Sequence, residues 1–77
     1  MLREVPITGE TIRLGQLLKL AGVIDSGSEA RPLLADGAVL VNGTPEGRRG
    51  RQLRAGDSVR VGAEELRIVA AGSGEGG

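Results

Sequence analysis

The hydrophobic positions in the first part of the chain recur with the spacing of a helix. Four apolar residues are separated by three or four positions, as on one helix face: Leu14, Leu17, Leu18 and Ala21. They predict a first helix over residues 13–21, with Thr11 as its best cap and Gly22 as its end. Gly15, near the start of this helix, would allow another backbone to approach it closely.

A second helix is predicted over residues 26–35, but its start carries two conflicting signals. Its apolar stripe consists of Ala30, Leu33 and Leu34. Ser26-Gly27-Ser28-Glu29 matches a capping box, in which the serine side chain accepts from a free backbone N–H and the glutamate reaches back. With a start at Ser26, Pro32 lies beyond the first turn and removes one intrahelical hydrogen bond, whereas a start at Ser28 lowers that cost. We favour the Ser26 start, with a strained or kinked first turn.

The remaining apolar residues alternate with polar ones, which is typical of strands with one buried face. The predicted strands are residues 3–7, 38–41, 58–61 and 66–69. Pro6 limits the first of these to an edge or a strand end, and Asn42-Gly43 predicts a type I′ hairpin turn after the second. The expected fold is α+β, with two short helices packed on a small, mostly antiparallel β-sheet. Its predicted core contains Leu17, Leu18, Leu34, Val39 and Val41.

The last residues of the chain differ in composition from the rest. We expect one domain over residues 1–71 and a flexible, glycine-rich tail at residues 72–77 (GSGEGG). The tail spells G-x-G-x-x-G, which binds dinucleotides only where a helix follows and holds the pyrophosphate at its N-terminus. No helical pattern follows here, so we expect no nucleotide site in the tail.

Composition argues against most catalytic and metal-binding chemistry. The chain contains neither Cys nor His, which excludes thiol chemistry and removes the commonest general base and metal ligand. The carboxylates are not clustered as a metal site requires. We therefore expect no enzyme activity, no cofactor, no metal and no small-molecule substrate. The N-terminus is too polar for a signal peptide and no apolar run approaches a membrane span, so we expect a cytoplasmic protein without a membrane partner.

Charge is balanced in total but unevenly distributed. Lys and Arg number 10, as do Asp and Glu, yet Arg48, Arg49, Arg51 and Arg54 follow one another without an acidic residue between them. The guanidinium fork binds phosphate oxygens two at a time, and we expect this loop to be mobile alone and ordered by phosphate. From the residues alone, an equally good interpretation is a solvated loop that only aids solubility. A protein-interaction adaptor whose arginines contact an acidic partner is the alternative function.

Several motifs follow one another in a fixed order: Arg13-Leu14, Leu17-Leu18, Gly22, residues 26–31, Leu34, residues 37–43 and Gly56-Asp57. In this order, over residues 12–61, they resemble the S4-type RNA-binding domain, also called the alpha-L motif. The stretches IRLGQLLKL (residues 12–20) and RRGR (residues 48–51) are most similar to the small stand-alone bacterial members of the YaaA and YbcJ type.

The resemblance implies a non-catalytic module that binds structured RNA through a basic groove across the helical corner and the first hairpin. Carried over position by position, it implies RNA contacts from Lys19, Ser26, Ser28, Arg31, Asn42, Arg48, Arg49 and Arg51. Members of this type are associated with ribosome maturation, so the expected partner is ribosomal RNA or a pre-ribosomal particle. We expect the protein to be a monomer. The lack of Phe, Tyr and Trp agrees with contacts to phosphate, ribose and RNA shape rather than to stacked bases.

Overall fold

The computed structural model describes residues 2–71 of the chain. Its elements are β1 (Leu2–Ile7), β2 (Ile12–Arg13), α1 (Leu14–Leu20), α2 (Ala30–Ala35), β3 (Val39–Val41), β4 (Thr44–Pro45), β5 (Gln52–Leu53), β6 (Ser58–Val61) and β7 (Glu64–Ala70). A short 3-10 turn, Gly27–Glu29, leads into α2. The flexible tail predicted at residues 72–77 lies outside the described residues, and the division into domain and tail stays a prediction.

The main sheet has five strands in the order β1-β7-β6-β3-β4. β1 runs parallel to β7, whereas β7, β6, β3 and β4 pair antiparallel. β2 and β5 form a separate antiparallel pair in which Ile12 lies opposite Leu53. The mostly antiparallel α+β fold is therefore confirmed. β1 lies at a sheet edge, as Pro6 predicts, because proline has no N–H to donate to a second neighbour.

One hydrophobic core lies between the main sheet and the two helices. The core residues on α1 and α2 are Leu14, Leu17, Leu18, Ala30 and Leu34. The main sheet contributes Val5, Ile7, Val39, Val41, Val59, Leu66 and Ile68. The predicted core is thus confirmed, and each buried Leu, Ile or Val side chain stabilises the fold by about 1.5–3 kcal/mol.

The hairpin between β3 and β4 has the turn that its sequence predicts. Asn42 and Gly43 have φ values of 52° and 87°, and a type I′ turn requires positive φ at both positions. The Asn42 side chain also attaches this turn to β6. Its Oδ1 accepts from the Ser58 N–H at 3.0 Å, and its Nδ2 donates to Asp57 Oδ1 at 3.2 Å.

Both helices begin later than the sequence pattern predicts. Residue 13 is the N-cap of α1 and makes no side-chain cap hydrogen bond, so the expected cap at Thr11 is wrong. The second α-helix begins at Ala30 rather than at Ser26. Pro32 therefore lies in the first turn of α2, where a backbone N–H has no intrahelical acceptor. The loss of an intrahelical hydrogen bond that was expected at Pro32 therefore does not occur.

The predicted capping box is only half formed. Glu29 does reach back, but its Oε1 accepts from the Asp25 N–H at 3.1 Å, one residue earlier than predicted. The Ser26 hydroxyl lies 3.0 Å from the Ser28 hydroxyl, and the two are hydrogen-bonded to each other. No side chain caps α2, because the 3-10 turn continues directly into the helix.

Candidate nucleic-acid interface

An open cleft of about 260 Å³ lies beside α1. Its lining residues are Arg13, Gly15, Gln16, Lys19, Arg49 and Gly50. Arg13, Gln16 and Lys19 are three residues apart, so they lie on the side of α1 opposite its buried leucines. The cleft therefore combines a polar stripe of α1 with the arginine-rich loop.

A second open cleft of about 290 Å³ lies between α2 and the same loop. Arg31, Leu34, Ala35, Gly47 and Arg49 line it. Arg49 lines both clefts and so connects the cations of α1 with Arg31 on α2. None of the residues that line the two clefts is acidic. We call this surface the Arg49 face and define it by Arg13, Gln16, Lys19, Arg31 and Arg49.

The backbone of the arginine-rich loop caps the start of α1. The Leu14 N–H donates to the Arg51 carbonyl at 2.8 Å, and the Gly15 N–H donates to the Arg49 carbonyl at 2.9 Å. These N–H groups belong to the first helical turn, which has no intrahelical acceptors for them. A Cβ atom at Gly15 would lie 3.3 Å from Arg49 Cγ. Glycine at this position thus permits the close approach that the sequence suggests.

Glu46 anchors the other side of the loop through two arginines. Its side chain is buried, and both carboxylate oxygens accept hydrogen bonds. Oε2 accepts from the backbone N–H of Arg48 at 3.0 Å and from Arg48 Nε at 3.2 Å, while Oε1 accepts from Arg51 Nη1 at 2.7 Å. Chiefly the hydrogen bond from Arg51, and then those from Arg48, lower the pKa of Glu46 to about 2. The loop is thus hydrogen-bonded on both sides, which favours an ordered loop over the mobile loop that the sequence predicts.

The predicted site residues separate into two groups in the structure. Lys19, Arg31 and Arg49 meet on the Arg49 face. The others line neither cleft: Ser26, Ser28, Asn42, Arg48 and Arg51. Asn42 holds the hairpin turn, the two serines bond to each other, and the two arginines bind Glu46. The RNA contacts proposed for all these residues stay predictions.

Three residues of this region are not among the site residues predicted from the sequence: Arg13, Gln16 and Glu46. Arg13, Gln16 and Lys19 follow one another at intervals of three residues, and this polar stripe could have indicated that they share one face of the helix. Glu46 stands two residues before Arg48, and an acid next to a basic run was the available signal for it. Its burial and its two partners depend on how the loop folds back, which spacing does not reveal.

Among residues 2–71, no group of three or more Asp and Glu side chains is placed to hold a metal ion. Over the same residues, no helix is both long and apolar enough to cross a membrane.

Comparison with known proteins identifies relatives of similar size. The family model described as the S4 domain matches residues 5–69. The probable ribosome maturation protein RlbA of Bacillus subtilis (strain 168) is 49% identical over 61 residues, which are 79% of this chain and 86% of RlbA. The putative RNA-binding protein YbcJ of Escherichia coli (strain K12) is 36% identical over 59 residues, or 77% of this chain and 84% of YbcJ.

A solved structure also resembles this fold. The solution structure of YbcJ from E. coli, described as revealing an alpha-L motif involved in RNA binding, superposes with a TM-score of 0.62 at 30% identity. The match covers 90% of this chain and 86% of YbcJ.

Proposed function

Because the chain belongs to the S4 domain family, we propose that it is a non-catalytic RNA-binding module that acts in ribosome assembly or maturation. RlbA carries the name of a probable ribosome maturation protein, and YbcJ that of a putative RNA-binding protein. We extend both properties to this chain. Its proposed partner is ribosomal RNA or a pre-ribosomal particle, which it binds as a monomer in the cytoplasm.

The observation that carries this proposal is the Arg49 face. Cationic side chains from α1, α2 and the arginine-rich loop line two adjoining clefts that contain no acidic residue, although the chain as a whole has no net charge. Phosphate is the ligand that suits this surface, because guanidinium groups bind phosphate oxygens in pairs. The sequence has no aromatic side chain, so the surface suits the backbone and shape of structured RNA.

The salt dependence of binding to a structured RNA tests this function. If the cations of the Arg49 face neutralise about four phosphates, the logarithm of the binding constant should fall against that of the salt concentration with a slope of about −2.8 to −3.6. Fluorescence anisotropy with a labelled ribosomal RNA hairpin measures this slope. A slope near zero contradicts the RNA function and favours the adaptor that contacts an acidic protein.

Sedimentation through sucrose gradients tests the ribosomal partner separately. The wild-type chain should co-sediment with ribosomal particles, and Arg31→Ala should release it because Arg31 lines the second cleft. Arg67→Ala is the matched control, since Arg67 lies on β7, outside both clefts. If the wild-type chain binds an RNA hairpin but never enters the particle fractions at low salt, RNA binding is supported and the proposed ribosomal partner is wrong.

A further inference from the structure

We infer that Glu46 is a positioning residue for RNA binding, because its carboxylate holds Arg48 and Arg51 and thereby fixes Arg49 between the two clefts. This inference rests on the proposed function and assigns to its site an acidic residue that lines neither cleft. A carboxylate repels phosphate, so Glu46 can assist RNA binding only through the arginines that it holds.

Glu46 is itself fixed to the main sheet. It directly follows β4, and its N–H donates to the Val39 carbonyl on β3 at 2.9 Å. Only 9% of its surface is exposed. The two ion pairs therefore attach the loop to a buried point of the sheet rather than to another mobile side chain.

The two arginines that bind Glu46 lie on either side of Arg49 in the sequence. Arg48 and Arg51 bind the carboxylate, and the Arg51 N–H also donates to the Arg48 carbonyl at 3.3 Å, which closes a turn around the residues between them. The Arg49 carbonyl accepts from the Gly15 N–H on the opposite side. Arg49 is thus held between the sheet and α1 before any ligand binds.

Such an arrangement lowers the entropic cost of binding. A free loop must be ordered when RNA binds, and each immobilised backbone segment and long side chain reduces the affinity. Without the carboxylate, the positive charges of Arg48, Arg49 and Arg51 would also repel one another within one short loop. Glu46 removes both costs in the free protein.

Glu46→Gln tests the inference by the sign of its effect. The substitution raises the net charge by one, so simple electrostatics predicts tighter RNA binding, whereas loss of positioning predicts weaker binding. We expect affinity for the ribosomal RNA hairpin to fall about three- to tenfold, as for a coupled pair of contacts. The matched control is Glu4→Gln, an equal charge change at an exposed position on β1. It should bind as tightly as wild type or slightly more tightly.

A measurement on the free protein follows the loop directly. Amide hydrogen exchange of Gly15 reports its bond to the Arg49 carbonyl, and it should accelerate in Glu46→Gln. The Leu18 amide inside α1 should remain protected, which shows that the helix persists. Glu46→Asp serves as a second variant, because it retains the charge but shortens the reach to both arginines. It should also weaken RNA binding.

A double-mutant cycle shows whether Glu46 acts through its partners. In the background Arg48→Ala/Arg51→Ala, the additional change Glu46→Gln should leave RNA affinity unchanged or raise it to the extent seen with Glu4→Gln. If wild type binds RNA and Glu46→Gln binds as tightly as the Glu4→Gln control, this inference is wrong and the proposed function stands. If wild type binds no structured RNA at any salt concentration, the proposed function itself is wrong, and the inference that rests on it is wrong as well.

Discussion

The Arg49 face and the outer face of the main sheet both carry arginines, yet their charges are arranged in opposite ways. On the outer face, the strand register places Arg67 opposite Glu4 and Arg60 opposite Glu65. On the Arg49 face, the residues that line the clefts include no acid, and the nearby carboxylate of Glu46 is buried beneath the loop. A chain with equal numbers of acidic and basic groups thus has one balanced and one cationic surface.

This difference shows why net charge is a poor guide to the ligand. Opposite charges at exposed positions contribute at most about 0–1 kcal/mol to stability, so the acids and arginines of the outer face add little to the fold. Because they lie on neighbouring strands, their fields largely cancel there. Unpaired cations around a cleft attract phosphate over several ångströms. The placement of the acids, rather than their number, therefore distinguishes the two surfaces.

The largest expected effect concerns the core that supports both faces. Leu18→Ala removes a side chain with 0% exposure and should lower the free energy of unfolding by about 2–5 kcal/mol because it leaves a cavity. Leu20 on the same helix is 58% exposed, and Leu20→Ala should change stability by less than about 0.5 kcal/mol. Urea denaturation measures both. Equal midpoints for the two variants would contradict the packing of α1.

The next effect compares one arginine from each surface. Arg49→Ala should weaken binding to an RNA hairpin about five- to eightfold at ~0.1 M salt and flatten the salt slope by about 0.7 to 0.9, because one phosphate contact is lost. Arg60→Ala on the outer face should change neither quantity measurably. The same loss from both variants would show that only total charge matters. Replacing Arg48 as well would confuse this test, since it deprives Glu46 of a partner.

The third expected effect is a dependence of stability on pH through Glu46. Its pKa falls from 4.5 to about 2 in the folded protein, so the folded state favours the ionised carboxylate. The resulting stabilisation is complete above about pH 4.5 and is lost as the pH falls towards 2. Urea denaturation of wild type and Glu46→Gln across this range isolates the contribution. Parallel curves for the two proteins would mean that the ion pairs do not stabilise the fold.

The smallest expected effect tests the approach of the loop to α1. Gly15→Ala places a Cβ atom 3.3 Å from Arg49 Cγ, which displaces Arg49 slightly, while alanine favours the helix by about 1 kcal/mol. We expect stability within about 1 kcal/mol of wild type together with RNA affinity reduced by about two- to threefold. Thermal melting and anisotropy measure the two quantities. Unchanged affinity would show that the contact with Gly15 does not set the position of Arg49.

Local patterns in the sequence determined most of the secondary structure and the core. The spacing of Leu14, Leu17 and Leu18 predicts α1, and the alternation around Val39 and Val41 predicts β3. Asn42-Gly43 predicts its turn, because the preference for positive φ belongs to these two residues themselves. Order and spacing of such motifs also carried the resemblance to the S4 family, which the family match over residues 5–69 confirms.

Tertiary structure decided the features that depend on residues far apart in the chain. The parallel pairing of β1 with β7 joins the two ends of the described chain, and no local period specifies it. The cap of α1 comes from the carbonyls of Arg49 and Arg51, where a local cap at Thr11 was expected. The same folding of the loop buries Glu46 and brings Arg49 between the cations of α1 and α2. Spacing predicts which residues share a face of one element, but only packing between elements determines which faces meet.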